Sequence, residues 1–187
     1  MFKTYLELGF DHILDINAYD HILFVMTLCV IYAVAQWRHI LILVTAFTIG
    51  HSVTLALSTL GIVNIPGRLI EYLIPVTIIL TALYNIYKIR AHNQKITLHY
   101  CLAAFFGLIH GLGFSNYLKA LLGSEEDLVI PLLAFNVGVE LGQLIIVAIT
   151  IAVTMILVKI LNIKQRYWVW VVSGAAILIS LKLIMDL

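Results

Sequence analysis

Six long apolar runs separated by short polar connections constrain this chain more than any other feature. They lie at about 19–37, 40–61, 67–90, 97–121, 129–159 and 167–186. Crossing the ~30 Å hydrocarbon layer of a bilayer as a helix takes about 20 residues, and each run is close to that length or beyond it. Lipid offers backbone groups no hydrogen-bond partner, so such runs form helices that satisfy their own N–H and C=O groups. The connections carry turn and charge signals: Arg38-His39, Asn64-Ile65-Pro66-Gly67, the polar stretch 88–95, Gly123-Ser124-Glu125-Glu126-Asp127, and 162–166. Only 11% of residues are charged and 63% are hydrophobic, whereas a soluble domain carries roughly 25% charged residues. The expectation is an all-α polytopic membrane protein, a six-transmembrane-helix bundle forming one domain over 1–187. Residues 1–18 are expected as a short amphipathic lead-in at the interface.

Charge placement sets the expected orientation. The connections after the first, third and fifth runs hold Arg38, Lys88, Arg90, Lys95, Lys159, Lys164 and Arg166, and the opposite side holds Lys3, Arg68, Lys119 and Lys182. The positive-inside rule then puts both termini outside the cytoplasm, in a multi-pass protein of the inner or plasma membrane. A net charge of +1 without a basic block speaks against a nucleic-acid partner. No Gly-x-x-x-x-Gly-Lys loop occurs, so no nucleotide is expected. Cys29 and Cys101 lie in separate apolar runs and suggest neither a disulfide framework nor a paired metal motif. The N-terminus lacks the pattern of a removable signal peptide.

Against this apolar background the polar residues stand out, because an ionisable side chain in hydrocarbon costs a few kcal/mol or more and usually lines a cavity or pathway. His51 lies in "AFTIGHSVTLALS", His110 in "FFGLIHGLGFS", and Asn136, Glu140 and Gln143 in "AFNVGVELGQ". At 1.5 Å per residue His51 and Glu140 sit about 17 Å, and His110 about 20 Å, into their runs, all near mid-membrane. Asn136, Glu140 and Gln143 share one helix face by their spacing. Gly107 with Gly111, and Gly138 with Gly142, form small-xxx-small pairs that let helices approach closely. Ahead of the first run, "GFDHILDINAYDH" supplies Asp11, His12, Asp15, Asp20 and His21.

Two imidazoles and a carboxylate at one depth suit a divalent transition metal such as Ni, Co or Zn. The expected ligands are Asp20, His21, His51, His110 and Glu140. Asp11, His12, Asp15, Ser52, Asn136 and Gln143 are expected in secondary or access positions. Plainer readings exist beside this one. A lone intramembrane histidine can simply bond a neighbouring helix, and Asp20 can cap a helix start. Glu71 reads as an ion-pair partner of Arg68, and His39, His92 and His99 as solvated border residues. Three runs in each half also suggest an inverted repeat, with His21 equivalent to His110 and His51 to Glu140.

In their order along the chain, "GFDHILDINAYDHILF", "AFTIGHSVTLALSTLG", "FFGLIHGLGFS" and "AFNVGVELGQ" resemble the HupE/UreJ family of bacterial membrane proteins over nearly the whole sequence. The resemblance implies a small polytopic protein associated with nickel or cobalt uptake. The family's His, then Asp-His pattern falls on His12, Asp20 and His21. Its second-helix histidine falls on His51, its His-Gly motif on His110 and Gly111, and its late glutamate on Glu140. The leading functional expectation is a permease for a divalent metal ion, with the bilayer and the ion as partners and homo-oligomerisation left open. Two alternatives stand beside it. One is an intramembrane zinc-dependent hydrolase with Glu140 as general base; the other is a metal-binding assembly or sensor subunit.

Overall fold

The computed structural model describes residues 1–89, 96–122 and 128–187. Arg90, His92, Lys95 and the acidic Glu125, Glu126 and Asp127 lie outside the described residues. Among the described residues the chain forms seven α-helices and no strand: α1 Phe2–Leu14, α2 Asp20–Cys29, α3 Trp37–Thr59, α4 Gly67–Lys88, α5 Ile96–Leu122, α6 Val129–Met155 and α7 Gln165–Met185. The five helices α3 to α7 are long and apolar enough to cross a membrane. This is an all-helical membrane protein.

Local chemistry ends the helices where the turn signals stand. Beyond α3, Gly61 adopts φ +76°, and the Gly61 and Ile62 amides bond back to the Ser58 and Leu57 carbonyls at 2.9 Å each. That pattern closes a helix with a left-handed residue, for which glycine carries no steric cost. Asn162, at φ 55°, plays the same part after a π-turn at Ile156–Ile160 prolongs α6. Pro66 then Gly67 starts α4.

The N-terminal third departs from expectation. Residues 2–14 form α1, which packs along α6 with Tyr5, Gly9 and Ile13 buried. The first run is not one long helix. α2 has 10 residues, about 15 Å at 1.5 Å per residue, half of what a hydrocarbon layer requires. A turn and a short 3-10 segment, Val34–Gln36, complete the run.

Glycines explain the two tightest helix pairs. A Cβ on Gly9 would collide with the Phe135 carbonyl, and one on Gly138 with the Leu6 carbonyl, so α1 and α6 touch backbone to backbone. The pair α3 and α5 is built alike. A Cβ on Gly50 would strike the Ala104 carbonyl, and one on Gly107 the Phe47 carbonyl. Contacting residues advance together within each pair, Gly138 with Leu6 and Phe10, then Gly142 with Phe10 and Ile13; the members of a pair therefore run in the same direction.

These contacts define an internal equivalence. Gly9 corresponds to Gly107, Leu6 to Ala104, Phe10 to Leu108, Gly138 to Gly50 and Phe135 to Phe47, each pair of positions making the same contact in its own crossing. On that register His12, not His21, is the counterpart of His110. Counting along α3 and α6 in the same way matches Glu140 with Ser52 and His51 with Val139. The equivalence expected from the order of the runs is thus corrected. Its physical basis is the glycine crossing, which occurs in α1, before the first long apolar run begins.

Direction follows from further contacts. Thr45 of α3 bonds Glu140 of α6, while His51 lies beside Phe135, so α3 and α6 are antiparallel. His21, Phe24 and Tyr32 meet His110, Phe106 and His99 in turn, so α2 runs against α5. Consequently α1 and α2 run the same way in tandem, broken at 15–19. Asp15 shapes that break by accepting hydrogen bonds from the Asn17 amide, at 2.8 Å, and from its side chain, at 3.1 Å. The end of α1 and the start of α2 both bring histidines to the bundle interior.

Candidate metal centre

Three of these histidines converge. One ligand atom each from His12, His21 and His51 lies within 4.8 Å of the others, the one such group found among the described residues. The His12 ring centroid is 4.6 Å from that of His21 and 6.2 Å from that of His51. Three separate elements supply them: the last turn of α1, the first turn of α2 and the middle of α3. Asp20 Oδ1 stands 3.4 Å from His21 Nδ1, adding a negative charge at the edge of the group.

His110 lies next to this group. Its ring is 5.3 Å from that of His21, and its Nε2 is hydrogen-bonded at 2.9 Å to Thr77 of α4. The Thr77 hydroxyl is also 2.7 Å from the Ile74 carbonyl. If that hydroxyl donates to the carbonyl, it accepts from His110 Nε2–H, which leaves Nδ1 with a free lone pair. Pro75 removes an amide from this part of α4 and with it the hydrogen bond to the Glu71 carbonyl.

The decisive feature is unmet hydrogen bonding. Among the described residues His12 Nε2, His21 Nε2, both nitrogens of His51 and His110 Nδ1 are buried with no well-formed hydrogen bond, and His21 Nδ1 has only its 3.4 Å contact with Asp20. Buried polar groups are bonded in the great majority of cases, and each one left unmet costs about 1–3 kcal/mol. Five such nitrogens in one place are a large local cost unless they bind something. Phe24, Phe47, Phe114 and Phe135 pack around the rings, with Phe114 4.0 Å from His12 and Phe24 4.8 Å from His110. Imidazole ligates metals in its neutral form. Metal–nitrogen bonds of about 2.0–2.1 Å in a tetrahedral site put donors about 3.4 Å apart, so donors as far apart as 4.8 Å must close by about 1.4 Å on binding.

An open cavity of about 710 Å³ leads to His12, and Asp11 and Asp15 line it. Both acids thus stand at the opening beside His12. His12 itself is one of the three grouped histidines.

Glu140 does not join the histidines. Its Oε1 accepts a 2.8 Å hydrogen bond from Thr45, and it lines a separate groove with Thr48, Ser52 and Asn136. Gln143 accepts from Thr48 at 2.7 Å, Ser52 donates to the Thr48 carbonyl, and Asn136 donates to the Leu132 carbonyl. Glu140 stands level with Thr45, six residues or about 9 Å along α3 from His51, and rotation about the helix turns it away as well. Phe135, Gly138, Val139 and Gly142 form the buried stripe of α6, and Glu140, one residue past Val139, is turned about 100° from that residue. Thr77 carried no signal of its own in the sequence. His12 did carry one, since Gly9-x-x-His12 repeats Gly107-x-x-His110.

The sequence profile described as HupE / UreJ protein matches residues 1–185. The chain belongs to the HupE/UreJ family. This is a membrane-protein family linked to nickel and cobalt uptake. No significant match is found among curated proteins or solved structures. Membership makes the histidine group of this HupE/UreJ protein the natural place to look for chemistry involving a metal ion.

Proposed function

We propose that this HupE/UreJ protein is a permease for a divalent transition-metal ion, with Ni²⁺ or Co²⁺ favoured, and that the ion passes through the histidine group as substrate. The observation that carries this reading is the set of buried nitrogens on His12, His21, His51 and His110 without a well-formed hydrogen bond. Asp11 and Asp15 attract the ion in the open cavity. His12, His21 and His51 replace part of its hydration shell, Asp20 offsets its charge, and His110, held by Thr77, offers the next nitrogen inward. A set of neutral imidazoles with one flanking carboxylate binds without trapping, which conduction requires.

In this reading the tandem helices α1 and α2 together make the first of six crossings. A discontinuous helix with its broken ends at the substrate is a recurring device of transporters. Both termini face away from the cytoplasm of the inner or plasma membrane, and residues 1–187 act as one domain. Inward flux then follows the membrane potential, which drives a doubly charged ion by about 4.6 kcal/mol per 100 mV. The zinc-hydrolase alternative loses its proposed base, because Glu140 bonds Thr45 in a different groove.

Uptake of Ni²⁺, Co²⁺ and Zn²⁺ into sealed proteoliposomes with an imposed inside-negative potential tests the proposal. The expected result is saturable uptake of at least one ion, reduced to the empty-vesicle rate by His21→Ala. Equal rates in loaded and empty vesicles for all three ions would overturn it.

A further inference from the structure

A second polar cluster lies far from the histidine group, where α4 ends and α5 begins. Lys88 is only 4% exposed, and among the described residues its Nζ has no hydrogen-bond partner. It stands 5.0 Å over the ring of Tyr84. The other neighbour of that ring is His99, at 4.9 Å. His99 was expected to be solvated at the border, yet it is 2% exposed. Its Nδ1 is hydrogen-bonded to the Tyr32 hydroxyl, and its Nε2 has no partner. With Tyr32 as donor, Nε2 carries the proton and is itself an unused donor.

An unpaired buried ammonium is among the costlier features a protein interior can hold. This one stands over Tyr84, which with Leu28, Leu80, His99, Leu102 and Phe105 lines an apolar groove of about 340 Å³ between α2, α4 and α5, while Lys88 itself is not part of that lining. Leu80 and Phe105 are about half exposed, so the groove opens on the lateral surface of the helices, toward lipid. Its lining is largely apolar, His99 is the basic residue in it, and the buried ammonium of Lys88 lies behind Tyr84.

We propose that this groove binds an anionic lipid. One acyl chain lies along Leu28, Leu80, Leu102 and Phe105, and the headgroup anion takes the ammonium of Lys88 and the Nε2–H of His99. The shape suits an acyl chain and the charge requires an anion, so a zwitterionic lipid leaves the lysine incompletely neutralised. Basic pockets between membrane helices bind phospholipid headgroups on the same principle. The site is independent of metal transport and stands or falls separately.

The test uses the full chain, purified in detergent, stripped of lipid and supplied with phosphatidylglycerol, phosphatidylcholine or inorganic phosphate. Native mass spectrometry reads bound lipid and thermal unfolding reads stabilisation. Phosphatidylglycerol is expected to be retained and to raise the melting temperature. Phosphatidylcholine should bind at least about tenfold more weakly, the equivalent of one charge-assisted contact. Lys88→Gln should abolish the preference, and Leu102→Trp, which fills the groove while keeping the lysine, should lower retention of phosphatidylglycerol. Equal retention of the two lipids by the unmodified protein would overturn the proposal without recourse to any variant. So would stabilisation by inorganic phosphate equal to that by phosphatidylglycerol, which would make this a site for free anions.

Discussion

His51→Leu is expected to lower affinity for Ni²⁺ or Co²⁺ by at least about a hundredfold, while leaving the metal-free protein as stable as before or more so. The two halves of this result have separate causes. Loss of an outer-shell partner alone commonly costs 10–100-fold in metal affinity, and loss of a ligand should cost no less. Stability moves the other way because both nitrogens of His51 are buried and neither makes a well-formed hydrogen bond, with only a weak interaction to the Asn136 side chain. Leucine removes these two polar atoms, each costing about 1–3 kcal/mol, and offers a side chain of comparable bulk to Phe47 and Phe135. A residue kept for function at the expense of stability behaves in this way. Isothermal titration gives the affinity and thermal unfolding without metal gives the stability. A variant that unfolds earlier but binds metal normally would mark His51 as a structural residue.

Gly138→Leu should separate α1 from α6. A Cβ there already collides with the Leu6 carbonyl, and backbone cannot swing aside as a flexible side chain can. Overpacking in a well-filled interior costs about 1–3 kcal/mol, occasionally more. The helix that yields is α1, which is short and terminal and holds His12 at its far end. The expected outcome is a protein that remains helical, with a lowered melting temperature and a metal affinity reduced by about tenfold or more, the worth of one ligand nitrogen. Gly174→Leu is the control. A Cβ at Gly174 meets nothing within 4 Å, so stability should hold or rise slightly with helix propensity. Matching losses in the two variants, or an unchanged affinity in Gly138→Leu, would contradict the role given to the crossing.

Several features were legible in the sequence for physical reasons. The apolar runs from 40 onward give helices α3 to α7 because lipid permits little else for twenty apolar residues. Gly61, Pro66 and Gly67 end and begin helices where turn chemistry requires. His21 and His51 stood out as costly residues in an apolar setting, and they do meet.

The N-terminal third was harder to read. Hydropathy saw one run from 19 to 37, but a window of apolar residues carries no record of the turn that ends α2 at Cys29. It also undervalued α1, whose polar residues suggested an interface. Its burial rests on Gly9 meeting a partner far away in sequence. Glu140 shows the converse limit. Depth along a helix is read from residue count, whereas facing depends on which stripe packs, and that is settled by Phe135, Gly138 and Gly142 against α1. Lys88 and His99 were assigned to the border by position, and only packing shows them buried.

Anomalous diffraction at the metal edge, from crystals of the full chain loaded with Ni²⁺ or Co²⁺, tests the central claim most directly. The expected map has one dominant peak about 2.0–2.2 Å from a nitrogen of each of His12, His21 and His51, with Asp20 at its edge. A dominant peak in the groove of Glu140 and Asn136, or none near the three histidines at saturating metal, would contradict it.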